Sequence, residues 1–374
     1  MDGMKRAERS LALDVLRGIA LLLVVAGRHT YPCPRELNAP LAWITERFHT
    51  AGWVGVDLFF VLSGFLVSGL LFREQQRFGR INLPSFFARR GLRIYPPFFF
   101  LLLATLVHTL LRGAPVDWRA YALNALFLHN YTGPIWLHTW SLAVEEHFYV
   151  LLPLLLLVLA RLRRASTDPY RDLPWLCALL ALASFVLRLD LALARPYAHA
   201  VHYHPTHLRM DSLMMGVFVS WAWHYRRARF ERLARAGRPW LIAGGLLCYL
   251  PAAFLPLGEH LFIHTAGYTL FFLAGAQWVA AACVSDLPPH PLVRALAFVG
   301  SHSYSIFLWH WLLIPWVGPY VLPHLDPFHG RGWYLYAPLY VGCSIALGVL
   351  ASWMVEMPVL RLRDRFWPSR GVAR

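Results

Sequence analysis

An acidic and a basic residue, Asp14 and Arg17, interrupt the first apolar stretch of the chain, Leu11 to Ala26, and His29 follows just beyond its end. A charge at the centre of a bilayer costs about 2.5 kcal/mol or more on insertion scales, so charges retained in a spanning helix mark a candidate functional site. Their spacing also allows a plainer account, a structural ion pair between Asp14 and Arg17. Further along, Trp140-Ser-Leu-Ala-Val-Glu-Glu-His-Phe-Tyr149 sets Ser141, Glu145 and Tyr149 four residues apart, on one face of a helix. Ser141 and Tyr149 could serve only to hydrogen-bond neighbouring helices. Glu145 is harder to dismiss, because inside a membrane it must be paired, protonated or exposed to a water-filled cavity. Glu146 and His147 fall on other faces of the same helix.

Two further clusters carry chemistry. The stretch Pro84-Ser-Phe-Phe-Ala-Arg-Arg-Gly-Leu-Arg-Ile-Tyr-Pro96 is basic and amphipathic and leads into an apolar run. Its Arg89 and Arg93 share a helical face with Arg90 beside them, and guanidinium forks suit phosphates. Topology signalling and contact with anionic lipid headgroups explain the same residues without a ligand. A second group is rich in histidine: His29, His49, His129, His138, His199, His202, His204, His207 and His260. Histidine titrates near neutral pH and suits general-base work. The run His202 to His207 has no carboxylate or cysteine partner at a fixed spacing, so a solvated loop is expected there rather than a metal site.

The elements that must position these residues follow from composition. Hydrophobic residues make up 58% of the 374, charged residues 15%, and mean hydropathy is +0.46, which places the chain among integral membrane proteins. Net charge is +15, yet the basic residues are scattered between apolar runs, which argues against a nucleic-acid partner. Four of the five cysteines lie in apolar stretches and Cys33 stands alone in a loop, so no disulfide framework follows. A crossing needs about 20 mostly apolar residues. By that measure an all-α bundle of about ten transmembrane helices is expected, near 11–28, 53–72, 94–112, 140–160, 173–193, 208–225, 239–257, 264–285, 297–321 and 333–356. Tyr121 to Phe127 is apolar but too short to cross.

Loop charge orients the bundle. One alternating set of loops and tails holds 25 of the 35 basic residues and the other set 9. The positive-inside rule then puts both termini in the cytoplasm, and a multi-pass protein of the cell's inner membrane is expected. Lys5, Arg6 and Arg9 before an apolar run resemble a secretory leader, but the charges inside that run and the spans after it favour an uncleaved first helix. No repeat or linker divides the chain, so a single membrane domain over residues 1–374 is expected, with no appended soluble domain.

In order along the chain, Leu13-Asp-Val-Leu-Arg-Gly-Ile-Ala20, Gly55-Val-Asp-Leu-Phe-Phe-Val-Leu-Ser-Gly-Phe65, Arg89-Arg90 with Arg93, Trp140 to Tyr149, Leu208-Arg-Met-Asp-Ser-Leu-Met-Met-Gly216, Ser303-Tyr-Ser-Ile-Phe-Leu-Trp-His310, and Glu356 with Pro358 resemble the membrane-bound acyltransferase-3 family. That family includes O-antigen and other polysaccharide O-acetylases. The resemblance implies transfer of an acyl group from acyl-CoA, taken from the cytoplasm, to a hydroxyl at the outer face. Arg17 matches the family's first-helix arginine, and His29 most nearly its histidine. Arg89, Arg90 and Arg93 match its arginine cluster, and Ser141, Glu145 and Tyr149 its four-residue ladder. CoA phosphates give the arginines a ligand, and the pantetheine arm could carry a thioester into the bundle.

One departure stands out. The family usually has ten residues between the arginine and the histidine, whereas eleven separate Arg17 from His29. In a regular helix His29 is turned about 120° from the expected face and Arg28 takes its register. A one-residue bulge near Gly27 restores the face, or the outer end of the helix unwinds, or catalysis tolerates a displaced histidine.

The expectation is therefore an integral membrane O-acyltransferase with no permanently bound cofactor and no metal. Its donor is acyl-CoA, with acetyl favoured by family habit, and its acceptor a cell-surface glycan or lipid-linked sugar. His29 is the general base, assisted by Glu145. Arg17, paired with Asp14, and Arg209 are candidates to stabilise the tetrahedral oxyanion. A covalent acyl relay is a variant. Asp57, Asp211, His310 and Glu356 could support the cavity or merely lock helices together. A proton-coupled transporter or flippase competes, since intramembrane Asp, Glu, Arg and His also build proton relays, although inverted repeats are not evident.

Overall fold

The structure, a computed structural model, describes residues 11–163, 166, 168–288, 290–325 and 331–367. Lys5, Arg6, Arg9, Arg164, Arg370 and Arg374, which entered the loop-charge count, lie outside them. The described residues form helices and connecting turns, without a strand. Six helical stretches are long and apolar enough to cross a bilayer: Ala39–Phe78, Leu83–Leu111, Leu137–Leu162, Leu173–Ala194, Ile263–Cys283 and Trp333–Phe366. A seventh arises if Ser303–Trp316 and Gly318–Leu325, bent by 67° at their junction, act as one.

The expectation of about ten crossings is met only to that extent, for physical reasons. Leu11–Arg28 is helical throughout but carries Asp14, Arg17 and Arg28. Met210–Tyr225 and Arg238–Phe254 have 16 and 17 residues, roughly 24–26 Å of helix against a hydrocarbon layer of about 30 Å. The chain is a multi-pass membrane protein.

Local sequence explains the main elements. Helix α1 (Leu11–Leu22) runs directly into a π-helical turn, Leu23–Arg28. Helix α2 (Ala39–Ala51) starts where the Asn38 side chain accepts from the Leu41 amide at 3.0 Å, next to Pro40. Helix α3 (Gly55–Phe78) stops at Gly79, whose φ of +66° favours glycine, and whose amide donates to the Gln75 carbonyl at 2.8 Å. Helix α4 (Leu83–Leu111) repeats the Asn-plus-Pro start with Asn82 and Pro84. Helices α5 (Trp140–Leu162), α6 (Leu173–Ala194), α7 (Met210–Tyr225), α8 (Arg238–Phe254), α9 (Tyr268–Cys283) and α10 (Pro291–Ser301) follow, then α11 (Ser303–Trp309) and α12 (Trp333–Ala351).

Helix α3 lies at the centre, buried along most of its length. It meets α7 through Gly64 and Gly216: a Cβ on either glycine would collide with the other helix's backbone, at the carbonyls of Leu213 and Val61. This is the close small-residue packing that membrane helices use in place of a hydrophobic driving force. Helix α6 lies at the rim, exposing Leu179, Leu182 and Val186 while burying Ser184 and Arg188. Apolar side chains face outward and polar ones inward, as a lipid solvent demands.

The π turn resolves the spacing anomaly. A π bulge accommodates one extra residue in a turn, so eleven intervening residues cover the arc that ten cover in a regular α-helix. Of the alternatives left open by the sequence, the bulge is the one adopted, and Gly27 lies within it. Gly52 seats the turn. A Cβ at that position would strike the Arg28 amide nitrogen and the Leu23 carbonyl oxygen.

Candidate active site

His29 emerges at the end of the π turn and is held by a second histidine. Its Nδ1 lies 2.9 Å from His310 Nε2, the two rings stack with centroids 4.9 Å apart, and the Trp311 ring closes over His29 edge-on at 4.2 Å. His310 Nδ1 faces the Phe307 carbonyl at 2.7 Å. A carbonyl oxygen only accepts, so His310 Nδ1 carries the proton and, in a neutral ring, Nε2 is bare. His29 Nδ1–H must then donate to it. The unprotonated nitrogen left on His29 is Nε2, the form a general base requires. His138, noted in the sequence only as one histidine among many, packs against both His310 and Trp311, with its Nε2 3.1 Å from the Leu308 carbonyl.

Phe307 also borders a cavity. Arg17, Arg90, Arg93, Ser141, Glu145, Glu146, Tyr149 and Phe307 are among the residues lining it. Tyr149 donates to Glu145 Oε2 at 2.6 Å, and the Ser63 hydroxyl, 2.6 Å from the Tyr149 oxygen, completes the chain. The Arg90 guanidinium lies 4.9 Å above the Tyr149 ring. Asp14 and Arg17 are paired at 3.0 Å, and Arg17 still faces the cavity. Ser141 donates to the His138 carbonyl at 3.3 Å, joining the cavity wall to the histidine cluster.

The expected residues thus fall into two adjoining groups. Phe307 belongs to both, since it lines the cavity while its carbonyl fixes His310. The hydrogen-bond partner of His29 is His310, and that of Glu145 is Tyr149. Arg89 points elsewhere, to Asp364 at 3.5 Å and to the Trp367 carbonyl. Glu146, set aside in the sequence as lying on another face, lines the cavity too and accepts from Tyr95 at 3.0 Å.

Other expected residues are bound into the scaffold. Arg209 is fully buried against Asp57 at 2.6 Å, with Ser212 also donating to that carboxylate at 3.2 Å. Four aromatic rings surround its guanidinium, Tyr268 nearest at 4.2 Å and Tyr203 at 4.9 Å. It is not among the cavity residues. Asp211 pairs with Arg188 at 2.7 Å. Glu356 accepts from Ser305 at 2.6 Å and Ser352 at 3.1 Å. The histidine run differs from the solvated loop expected of it: His202 and His204 are buried, and His204 stacks on Trp140 at 5.2 Å. Burial, then His199 and Arg209, pulls His204 down to about 3, so it is neutral at physiological pH.

The chain is similar to O-acetyltransferase OatA of Staphylococcus aureus strain NCTC 8325 / PS 47, at 27% identity over 341 residues, 85% of this chain and 52% of the relative. The OatA of strain COL gives the same values. The chain spans about half the length of these curated relatives. No solved structure matches it. Residues 10–357 match the family described as an acyltransferase domain, a span that takes in both the histidine pair and the arginine-lined cavity, and the chain therefore belongs to that acyltransferase family.

Proposed function

We propose that the protein is a membrane-bound O-acyltransferase that moves an acyl group, acetyl by analogy with its relatives, from acyl-CoA to a hydroxyl of a cell-surface glycan or lipid-linked sugar. The single observation that carries this reading is the juxtaposition of an oriented His29–His310 pair with a cavity lined by Arg90 and Arg93. CoA phosphates approach the two guanidiniums from the cytoplasm, and the pantetheine arm brings the thioester up the cavity.

His29 Nε2 takes the acceptor's hydroxyl proton as the oxygen attacks the thioester carbonyl. Arg17, twelve residues and roughly 18 Å back along the same helix from His29, meets the donor in the cavity, whereas the attack leaves a tetrahedral oxyanion beside His29. Its collapse expels the CoA thiolate, which recovers a proton from His29, and the acyl ester leaves with the acceptor. His310 Nε2, an acceptor only, holds His29 in the productive tautomer throughout. Glu145 anchors Tyr149 and helps balance Arg90. No observation favours a transporter.

The test is acetyl-CoA turnover by purified, folded variants. His29→Ala is expected to lose about 10²–10⁴-fold in kcat, the usual cost of removing a general base. If His29→Ala stays near wild type and Glu145→Gln is the severe variant, Glu145 is the base and the reading of the histidine pair fails.

A further inference from the structure

The bulge that brings His29 to its place also determines where Arg28 goes. Arg28 closes the π turn, is exposed, and precedes His29 directly. The arginines inside the bundle at Arg17, Arg188 and Arg209 each have a carboxylate within 3.0 Å. Arg28 has none within ion-pair distance among the described residues. Its partner is His49, whose Nε2 lies 3.5 Å from Arg28 Nη1 and whose Nδ1 faces the Thr30 carbonyl at 3.0 Å. That carbonyl can only accept, so His49 Nδ1 is the protonated nitrogen and Nε2 offers Arg28 a lone pair.

The guanidinium is therefore steadied by a neutral group and not by a counter-charge. Tyr197 and His199 also lie within its electrostatic reach. Burial, followed by Arg28 and Arg209, brings His199 down to about 4, so it adds no positive charge at neutral pH. An unneutralised fork beside the base, surrounded by neutral donors and acceptors, lacks one component: an anion on the incoming molecule.

We propose that Arg28 is an acceptor-binding residue, and that the hydroxyl acceptor is a sugar carrying an anionic group, carboxylate or phosphate, close to the acylated hydroxyl. This rests on the reading of His29 as the base that faces the acceptor. A guanidinium one residue from that base holds the anion while leaving the neighbouring hydroxyl free to meet His29 Nε2.

Binding calorimetry on the purified full chain tests the proposal without requiring turnover. The probes are methyl β-D-glucuronide and glucose 6-phosphate, each compared with methyl β-D-glucoside. Wild-type protein is expected to bind at least one anionic sugar about tenfold or more tightly than the neutral one, the scale of a charge-assisted contact. Which of the two gains more distinguishes carboxylate from phosphate. Arg28→Gln should lose the preference while binding the glucoside as before, and Arg28→Lys should keep part of it. His29→Ala should retain the preference although its transfer falls by about 10²–10⁴-fold. A wild-type protein that binds the three probes alike, or binds none, overturns the proposal, as does an Arg28→Gln variant that keeps the preference. Full activity in His29→Ala would instead overturn the assignment of the base and leave the binding result standing.

Discussion

The cavity arginines differ in what already holds them. Arg90 and Arg93 line the cavity, and Arg90 rests on the Tyr149 ring, whereas Arg89 is tied to Asp364 and the Trp367 carbonyl. Neutralising Arg90 and Arg93 is therefore expected to raise the KM for acetyl-CoA by roughly ten- to hundredfold per lost phosphate contact. Arg89→Gln should raise it much less. Acyl-CoA titration of the detergent-purified variants checks this, and equal dependence in all three would return the arginines to a purely topological role. The sequence made the arginine cluster visible, because three guanidiniums within five residues are conspicuous before an apolar run. Their division was not visible, since it depends on a carboxylate 275 residues away. His310 is a similar case. Its motif could be read, but its pairing with His29 spans 281 residues and has no local signal.

At the level of single elements, the π turn decides whether His29 can act. Gly52 is the residue that lets the turn exist, because its missing side chain leaves room for the Arg28 amide and the Leu23 carbonyl. Gly52→Ala should force the turn away and displace His29, lowering kcat by about tenfold or more while the KM for acetyl-CoA stays near wild type, as expected when a base is misplaced by an ångström or so. Deleting one residue between Leu23 and Gly27 removes the need for a bulge, and in the Gly52→Ala background it should restore part of the lost rate. Absence of any rescue would mean that Gly52 matters only for packing α2 and α3. The extra residue itself was legible in the spacing of Arg17 and His29. Where it would be absorbed was not, because the choice between a bulge and an unwound end depends on a glycine 23 residues further on.

For the whole molecule, the alternation of loop charge predicts that the end bearing Arg90 faces the cytoplasm and the end bearing His204 faces out. Single-cysteine variants labelled in intact cells with an impermeant reagent should react at exposed positions beside His204, such as Val201, and stay silent at Arg80. The reverse pattern would invert the bundle and, with it, the side from which the donor arrives. The buried ion pairs also bear on how this chain is made. Arg209 and Asp211 arrive together at the start of α7, and their counter-charges are Asp57 on α3 and Arg188 on α6, both earlier in the chain. Asp14 and Arg17, which come first, pair with each other within one turn. Each unpaired charge would cost about 2.5–3.5 kcal/mol on the insertion scale. A ribosome extruding this chain from its N-terminus makes Asp57 and Arg188 before their counter-charges exist, and the arrival of Arg209 and Asp211 together completes both pairs at one step.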